Sequence, residues 1–293
     1  PSDDMSVRRA VAHAMELSIS DASIALMAKE MGYQDDYEYF LKRAKNYKLF
    51  YDENVGFFHG KKKNGEWDTP FDEFMSKHRE RPDFAEGNAW QYLWLAPHDV
   101  PGLIELLGGK DKFIERLDSF FVIEPDDDTD VLVDLTGLIG QYAHGNEPSH
   151  HIAYLYAMAG QQWKTAEKVN YILKEFYHDA PDGVIGNEDA GQMSAWYIFS
   201  SMGFYPVFPA SEKYVFGSPL FEKLTLQLEG DKKFIVKAKQ LSDENIYIQS
   251  VQLNGKPYTK SYIMHDDIVA GGELVFEMGD VPSEFGKKES DRY

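Results

Sequence analysis

The apolar residues of this chain change their period partway along it. Before Gly203 they recur at helical spacing; after it, Leu224, Leu226 and Leu228 alternate with Thr225 and Gln227. A period near 3.6 writes a one-sided helix and a period of two writes a half-buried strand, so the two parts fold differently. Val7, Val11, Ala14 and Met15 begin a first helix, and Gly32, just after Met31, is placed to stop it. Phe40, Ala44 and Tyr47 mark a second helix, with Asp36 as its expected cap. Residues 67–84 are irregular and contain Pro70 and Pro82. Further helices are expected over 89–95, 100–107, 111–121, 149–158, 162–177 and 192–202, with Gly108-Gly109 separating two of them. Strands follow at 224–228, 234–238, 245–253 and around Leu274 and Phe276, and Asn254-Gly255 is a hairpin-turn signal. The expected architecture is mainly α over residues 1–205, followed by a small antiparallel β-sheet region over 206–293.

Composition narrows the function classes. The 293 residues suffice for one large domain or two smaller ones, and 43% hydrophobic content permits a sizeable core. A formal charge of −19 would repel nucleic acid. Lys61-Lys62-Lys63 reads as a solvated loop. Cysteine is absent, which excludes a disulfide framework and a thiolate metal site. No run of 18 apolar residues is present to span a membrane as a helix. Pro1-Ser2-Asp3-Asp4-Met5 carries no signal peptide, an absence without weight if the chain is a piece of a longer protein. Aromatics at 14% suit sugar stacking, but core packing explains most of them.

Three segments concentrate carboxylates, amides and glycines: 86–92 (Glu-Gly-Asn-Ala-Trp-Gln-Tyr), 145–151 (Gly-Asn-Glu-Pro-Ser-His-His) and 186–196, which opens Gly-Asn-Glu-Asp-Ala-Gly. Carboxylates are costly to bury without partners, so such clusters point to one polar site built from loops between helices. Phe84, Trp90 and Tyr92 give Glu86 a partly apolar setting, and burial there would keep a proton available for general-acid work. The competing reading makes Glu86 the cap of a helix starting near Gly87. Glu147 precedes Pro148, which places it at a helix N-terminus. With Asn146 it offers hard oxygen ligands suited to calcium, or else a cap. His144, His150 and His151 lack the HExxH spacing of a zinc site. Glu188 and Asp189 are candidates for a general base. An inverting glycosidase needs an acid and a base roughly 6.5–9.5 Å apart, and two carboxylates in separate loops are the minimum. Asp126-Asp127-Asp128-Thr129-Asp130 lacks the glycine and terminal glutamate of an EF-hand and reads as a solvated linker.

Taken together, these words resemble glycoside hydrolase family 92, the calcium-dependent exo-α-mannosidases. Besides the three segments, the resemblance runs through Pro97-His98-Asp99-Val100, Gly140-Gln141-Tyr142-Ala143-His144, Ala159-Gly160-Gln161-Gln162-Trp163-Lys164-Thr165, Gly203-Phe204-Tyr205-Pro206-Val207 and Gly217-Ser218-Pro219-Leu220-Phe221. It implies an (α/α)6 toroid for the helical part, and removal of terminal α-mannose from glycans by single displacement with inversion. Calcium, in such enzymes, holds the mannose 2- and 3-hydroxyls and helps distort the ring. By motif position Glu86 is similar to the general acid and Asp189 to the principal base. Some members carry a second carboxylate at the position of Asn187, which here is left to orient water or to act as a ligand, beside Glu188. Asn146 and Glu147, with Asp189, are implied at the calcium site or in mannose contact, and Asn88, Trp90, His98 and Asp99 on the substrate side. A periplasmic or secreted location is implied by the family alone. Members are more than twice this length, with a β-sandwich and the first part of the toroid upstream. The chain therefore matches their C-terminal portion, and that N-terminal portion is an expected partner. Two other readings stay open: a non-catalytic carbohydrate-binding or interaction fragment, and an inverting hydrolase of another sugar.

Overall fold

The computed structural model describes residues 9–75, 83–124 and 135–293. Val7, Pro82 and the acidic run 126–130 lie outside the described residues. Helix α1 (Ala10–Glu30) buries Val11, Met15, Ala22, Ala25 and Ala28 along one stripe. Gly32 ends its last turn at φ 78°, a conformation glycine adopts without penalty. Helix α2 (Gln34–Arg43) begins two residues before the expected cap. Tyr33 holds the cap position, and Asp35 and Asp36 lie in the first turn, where carboxylates favour the helix dipole. Arg43 Nε pairs with Asp21 at 3.0 Å and ties α2 to α1. Tyr47 lies beyond α2 in a 3-10 turn, Asn46–Phe50.

A short ladder, β1 (Tyr51–Asp52) with β2 (Phe57–Phe58), precedes α3 (Ala89–Tyr92), α4 (Val100–Leu106) and α5 (Lys110–Phe120). Trp94 is buried with Phe113 at 5.3 Å and Phe120 at 5.8 Å between ring centroids, which forms the local core. A second ladder pairs β3 (Leu138–Ile139) with β4 (Tyr142–Ala143).

The continuous helix expected over 149–158 is replaced by 3-10 turns at Glu147–Ser149 and Ile152–Tyr154 and one turn of α6 (Leu155–Met158). Residues 152–157 are all fully buried, so no solvent face exists to write a helical period. Thr165 Oγ1 also accepts from Ala157 N at 3.0 Å and donates to the Ala153 carbonyl at 2.8 Å, drawing backbone groups out of a helix ladder. Helices α7 (Gln162–Glu175) and α8 (Gln192–Ser201) follow.

Then come β5 (Phe204–Tyr205), β6 (Lys213–Phe216), β7 (Lys223–Gln227), β8 (Lys233–Lys239), β9 (Tyr247–Leu253), β10 (Lys256–Tyr258), β11 (Tyr262–Met264), α9 (His265–Val269) and β12 (Gly272–Gly279). Asn254 and Gly255 make the β9–β10 hairpin with φ of 52° and 75°, the positive pair a tight turn of this kind needs. The main sheet has the order β10-β9-β12-β8-β7. It corrects the antiparallel expectation: β12 runs antiparallel to β9 but parallel to β8. The last strand buries Leu274, Val275 and Phe276 in succession, which only a position covered on both faces provides. A second, antiparallel sheet has the order β11-β6-β5.

Packing divides the chain into Pro1–Ser149 and His150–Tyr293. This boundary differs from the change of secondary structure near Gly203. Tyr247 of β9 donates to Glu167 of α7 at 2.7 Å, and Phe199 of α8 packs on Tyr214 of β6 at 5.8 Å, so the last helices belong with the strands. The core of this second unit includes Phe204, Phe216, Phe234, Val251, Ile263 and Phe276. Phe276 is fully buried with its ring edge-on to Phe216 at 5.1 Å. Phe276→Ala should cost about 3–5 kcal/mol of stability, read as a lowered denaturant midpoint with the slope unchanged. A loss under about 1 kcal/mol would mean that the site collapses around the missing ring. Among the described residues no helix is long and apolar enough to cross a membrane.

Candidate active site

The first unit presents Glu86 at the turn that leads into α3. Its backbone is in the left-handed region at φ 51°, a rare conformation for a residue with a side chain. The apolar enclosure expected around it is absent, because the side chain is exposed. Phe84 packs on Tyr92 at 5.0 Å instead, and Trp90 turns inward against Phe57 at 5.0 Å and the Arg116 guanidinium at 4.3 Å. Glu86 is not the helix cap. Asn88 is, its Oδ1 accepting from Trp90 N at 3.0 Å, while Gln91 Oε1 accepts from Asn88 N at 2.7 Å. This reciprocal capping box satisfies donors that a four-residue helix would leave open. Gln141 braces it, accepting from Asn88 Nδ2 at 2.9 Å on its side chain and from Gln91 Nε2 at 2.6 Å on its backbone.

Two further side chains grip the turn itself. The Tyr92 hydroxyl donates to the Ala85 carbonyl at 2.7 Å, and Asn146 Nδ2 donates to the Glu86 carbonyl at 2.7 Å. Burial above all pushes the Tyr92 phenol up to about 12, so it stays a donor at neutral pH. Asn146 is buried, whereas Glu147, which opens the 3-10 turn ending at Ser149, is exposed.

The remaining substrate-side candidates each have a structural occupation as well. Asn88 and Trp90 are buried as described. His98 Nε2 is hydrogen-bonded to the Ala44 carbonyl at 2.9 Å, and burial holds its imidazole below the usual range. Asp99 caps α4 through Gly102 N at 3.1 Å and accepts from the Tyr47 hydroxyl at 3.0 Å.

The second unit presents the other carboxylates. Gly186, Asp189, Ala190 and Gly191 have φ of 74°, 46°, 56° and 94°, so the chain coils left-handed into α8. The two adjacent acids are separated by this turn. Glu188 accepts from Ser194 N at 3.2 Å and from Ser194 Oγ at 3.0 Å, which gives it a capping role at the start of α8. Asp189 is exposed and uses its backbone carbonyl to accept from Gln192 N at 3.2 Å. Asn187 is exposed as well. Among the described residues, the carboxylates of Glu86 and Asp189 take part in no hydrogen bond or ion pair.

Behind the turn, Gln192 Nε2 donates to His150 Nδ1 at 3.0 Å, and Trp196 Nε1 donates to the His150 carbonyl at 3.0 Å. The Tyr177 ring lies parallel to Trp196 at 6.0 Å, and its hydroxyl donates to the Met193 carbonyl at 3.1 Å. These supports were missed in the sequence. Only the Asn88-x-x-Gln91 spacing was a readable signal, as a capping box.

Hard oxygens from Asn146, Glu147 and Asp189 have the chemistry calcium selects. With Asn146 Nδ2 committed to Glu86, its Oδ1 is the atom left to ligate. No group of three or more His, Cys, Asp or Glu is gathered for a metal among the described residues. Calcium takes about six to eight oxygens, more than the side chains of these residues have to offer.

The sequence profile of the glycosyl hydrolase family 92 catalytic domain matches residues 1–280. A family 92 α-mannosidase of Bacteroides thetaiotaomicron, solved with mannoimidazole, superposes with a TM-score of 0.91 and 39% identity, over 95% of this chain and 37% of its own. A family 92 inverting mannosidase of the same organism gives 0.88 and 38%, over 99% of this chain and 40% of its own. An uncharacterized secreted glycosidase of Arthroderma benhamiae is 28% identical, over 97% of this chain and 37% of its own length. The profile match and the superpositions place the fold among the glycoside hydrolases. It belongs to glycosyl hydrolase family 92 and spans little more than a third of the length of the relatives it matches.

Proposed function

We propose that the chain is the C-terminal part of an inverting exo-α-mannosidase whose helices contribute to an (α/α)6 toroid. One observation carries the reading. Two carboxylates in the two family motifs, Glu86 and Asp189, are both exposed, both without hydrogen-bond or ion-pair partners among the described residues, and both in a left-handed backbone. Such conformations cost about 1–3 kcal/mol each and cluster where function holds a side chain in place. Glu86 gives its proton to the departing glycosidic oxygen. Asp189 takes a proton from the water that attacks C1 on the opposite face, with Asn187 orienting that water. Glu188 holds the Asp189 turn through Ser194. Calcium, with Asn146 Oδ1, Glu147 and Asp189 among its ligands, would chelate the mannose 2- and 3-hydroxyls. The relatives' greater length motivates a further part of the reading: the remainder of the polypeptide covers Glu86 and completes the site, so turnover belongs to the assembled protein. The secreted relative motivates a location outside the cytoplasm.

The test is a panel of aryl glycosides given to the full-length protein with and without chelator. Hydrolysis should be confined to the α-mannoside. Chelation, with loss of the ion confirmed by elemental analysis, should abolish it, and calcium should restore it better than zinc. Titration calorimetry of the stripped protein should show calcium binding independently of turnover. Full activity after confirmed stripping would remove calcium from the mechanism. Equal turnover of a glucoside would remove mannose as the substrate.

A further inference from the structure

Glu86 projects from a single left-handed residue, and its carboxylate has no hydrogen-bond or ion-pair partner among the described residues. Among the described residues, what fixes its direction therefore acts on the backbone. The two peptide carbonyls that flank its Cα are both held by side-chain donors. The Tyr92 hydroxyl holds the Ala85 carbonyl at 2.7 Å, and Asn146 Nδ2 holds the Glu86 carbonyl at 2.7 Å. Gripping both peptide planes fixes φ and ψ of the residue between them. Both donors are themselves rigid. Tyr92 and Asn146 are buried at 3% and 6% exposure. The Asn146 amide orientation follows from its acceptor, since its oxygen in the same place would face a carbonyl oxygen. Downstream, the capping box on Asn88 and Gln91 and its brace at Gln141 leave the following residues no freedom to relax the turn.

We infer that Asn146 is a positioning residue for Glu86: its carboxamide, with the Tyr92 phenol as the second jaw, clamps the Glu86 backbone in the left-handed conformation that aims the carboxyl at its substrate. This rests on the reading of Glu86 as the general acid. It assigns the nitrogen of Asn146 a task distinct from any its oxygen has toward a cation. A displacement of about 1 Å in a reacting group costs on the order of 100-fold in rate, so the clamp has a measurable consequence.

The experiment uses Asn146→Asp, Tyr92→Phe and Glu86→Gln in the full-length protein, each on two substrates. An α-mannosyl disaccharide needs a proton on its leaving oxygen; a dinitrophenyl α-mannoside does not. Asn146→Asp keeps an oxygen for a cation but loses the donor and sets a carboxylate against the Glu86 carbonyl. It should lower kcat on the disaccharide on the order of 100-fold and on the dinitrophenyl mannoside by less than about ten-fold. Calcium affinity, read by calorimetry, should be retained. Tyr92→Phe, which keeps the ring on Phe84, should show the same split at smaller size. Equal losses on both substrates in both variants would reduce the clamp to general structure, and full activity in both would show it dispensable; either overturns the inference. Glu86→Gln separates the two levels. If it shows the split and the other two do not, only the clamp fails. If Glu86→Gln itself falls equally on both substrates, the acid reading fails and the clamp falls with it.

Discussion

Replacing Glu86 by Gln should lower hydrolysis of an α-mannosyl disaccharide by about 10² to 10⁴, the span that general-acid catalysis commands. The carboxamide keeps the shape of the side chain and removes only the proton. A sugar leaves as a strongly basic alkoxide and needs that proton in the transition state. Dinitrophenolate leaves unaided, so the same variant should retain most of its rate on the dinitrophenyl mannoside. The prediction depends little on stability. Glu86 is exposed and its carboxylate takes part in no hydrogen bond among the described residues, so among them the substitution disturbs no packing and no cap. The thermal midpoint should therefore stay within a degree or two, by the small effect expected of surface changes. A large fall in midpoint, or a loss that is the same on both substrates, would take the acid role away from this residue.

Much of this fold was legible because the local signals agree with the tertiary result. The stripe from Val11 to Ala28 stops at Gly32 as its spacing requires, and Asn254-Gly255 makes the hairpin its two positive φ angles demand. Local signals failed where long-range contacts set the outcome. β12 is adjacent in space to β8, a strand it follows by more than thirty residues, and nothing in its own alternation states that the pairing is parallel. The segment 152–157 is enclosed on every side, so its sequence carries no amphipathic period to read.

The candidate site divides in the same way. The residue types of the acidic turns announce polar chemistry, but the task of each depends on partners elsewhere in the chain. Glu188 and Asp189 are neighbours of the same charge, and only the contact with Ser194 turns one of them into a helix cap. Asn146 lies 60 residues from Glu86, a separation that no spacing rule spans. Trp90 packs against Arg116 and Asp99 accepts from Tyr47, contacts that their motifs alone do not state.

Asp189→Asn should be the more damaging change across substrates. Water must be deprotonated as it attacks, whatever the leaving group, so the loss should be on the order of 10² to 10⁴ on the disaccharide and the dinitrophenyl mannoside alike. The contrast with Glu86→Gln is the discriminating feature, since two acids with the same role would give the same pattern. Asparagine also tolerates the left-handed φ of 46° that this position requires, so the backbone turn into α8 is preserved. The neighbouring carboxylate does not rescue the variant, because Glu188 is held by the backbone and hydroxyl of Ser194. If the proposed single displacement from the face opposite the leaving group operates, β-mannose should be the first sugar released by the unmodified full-length protein. Proton NMR during the first minutes, before mutarotation mixes the anomers, reads this directly. Release of α-mannose would replace the water-activating role with a covalent one, and an Asp189→Asn enzyme that keeps its rate on either substrate would move the base to another residue.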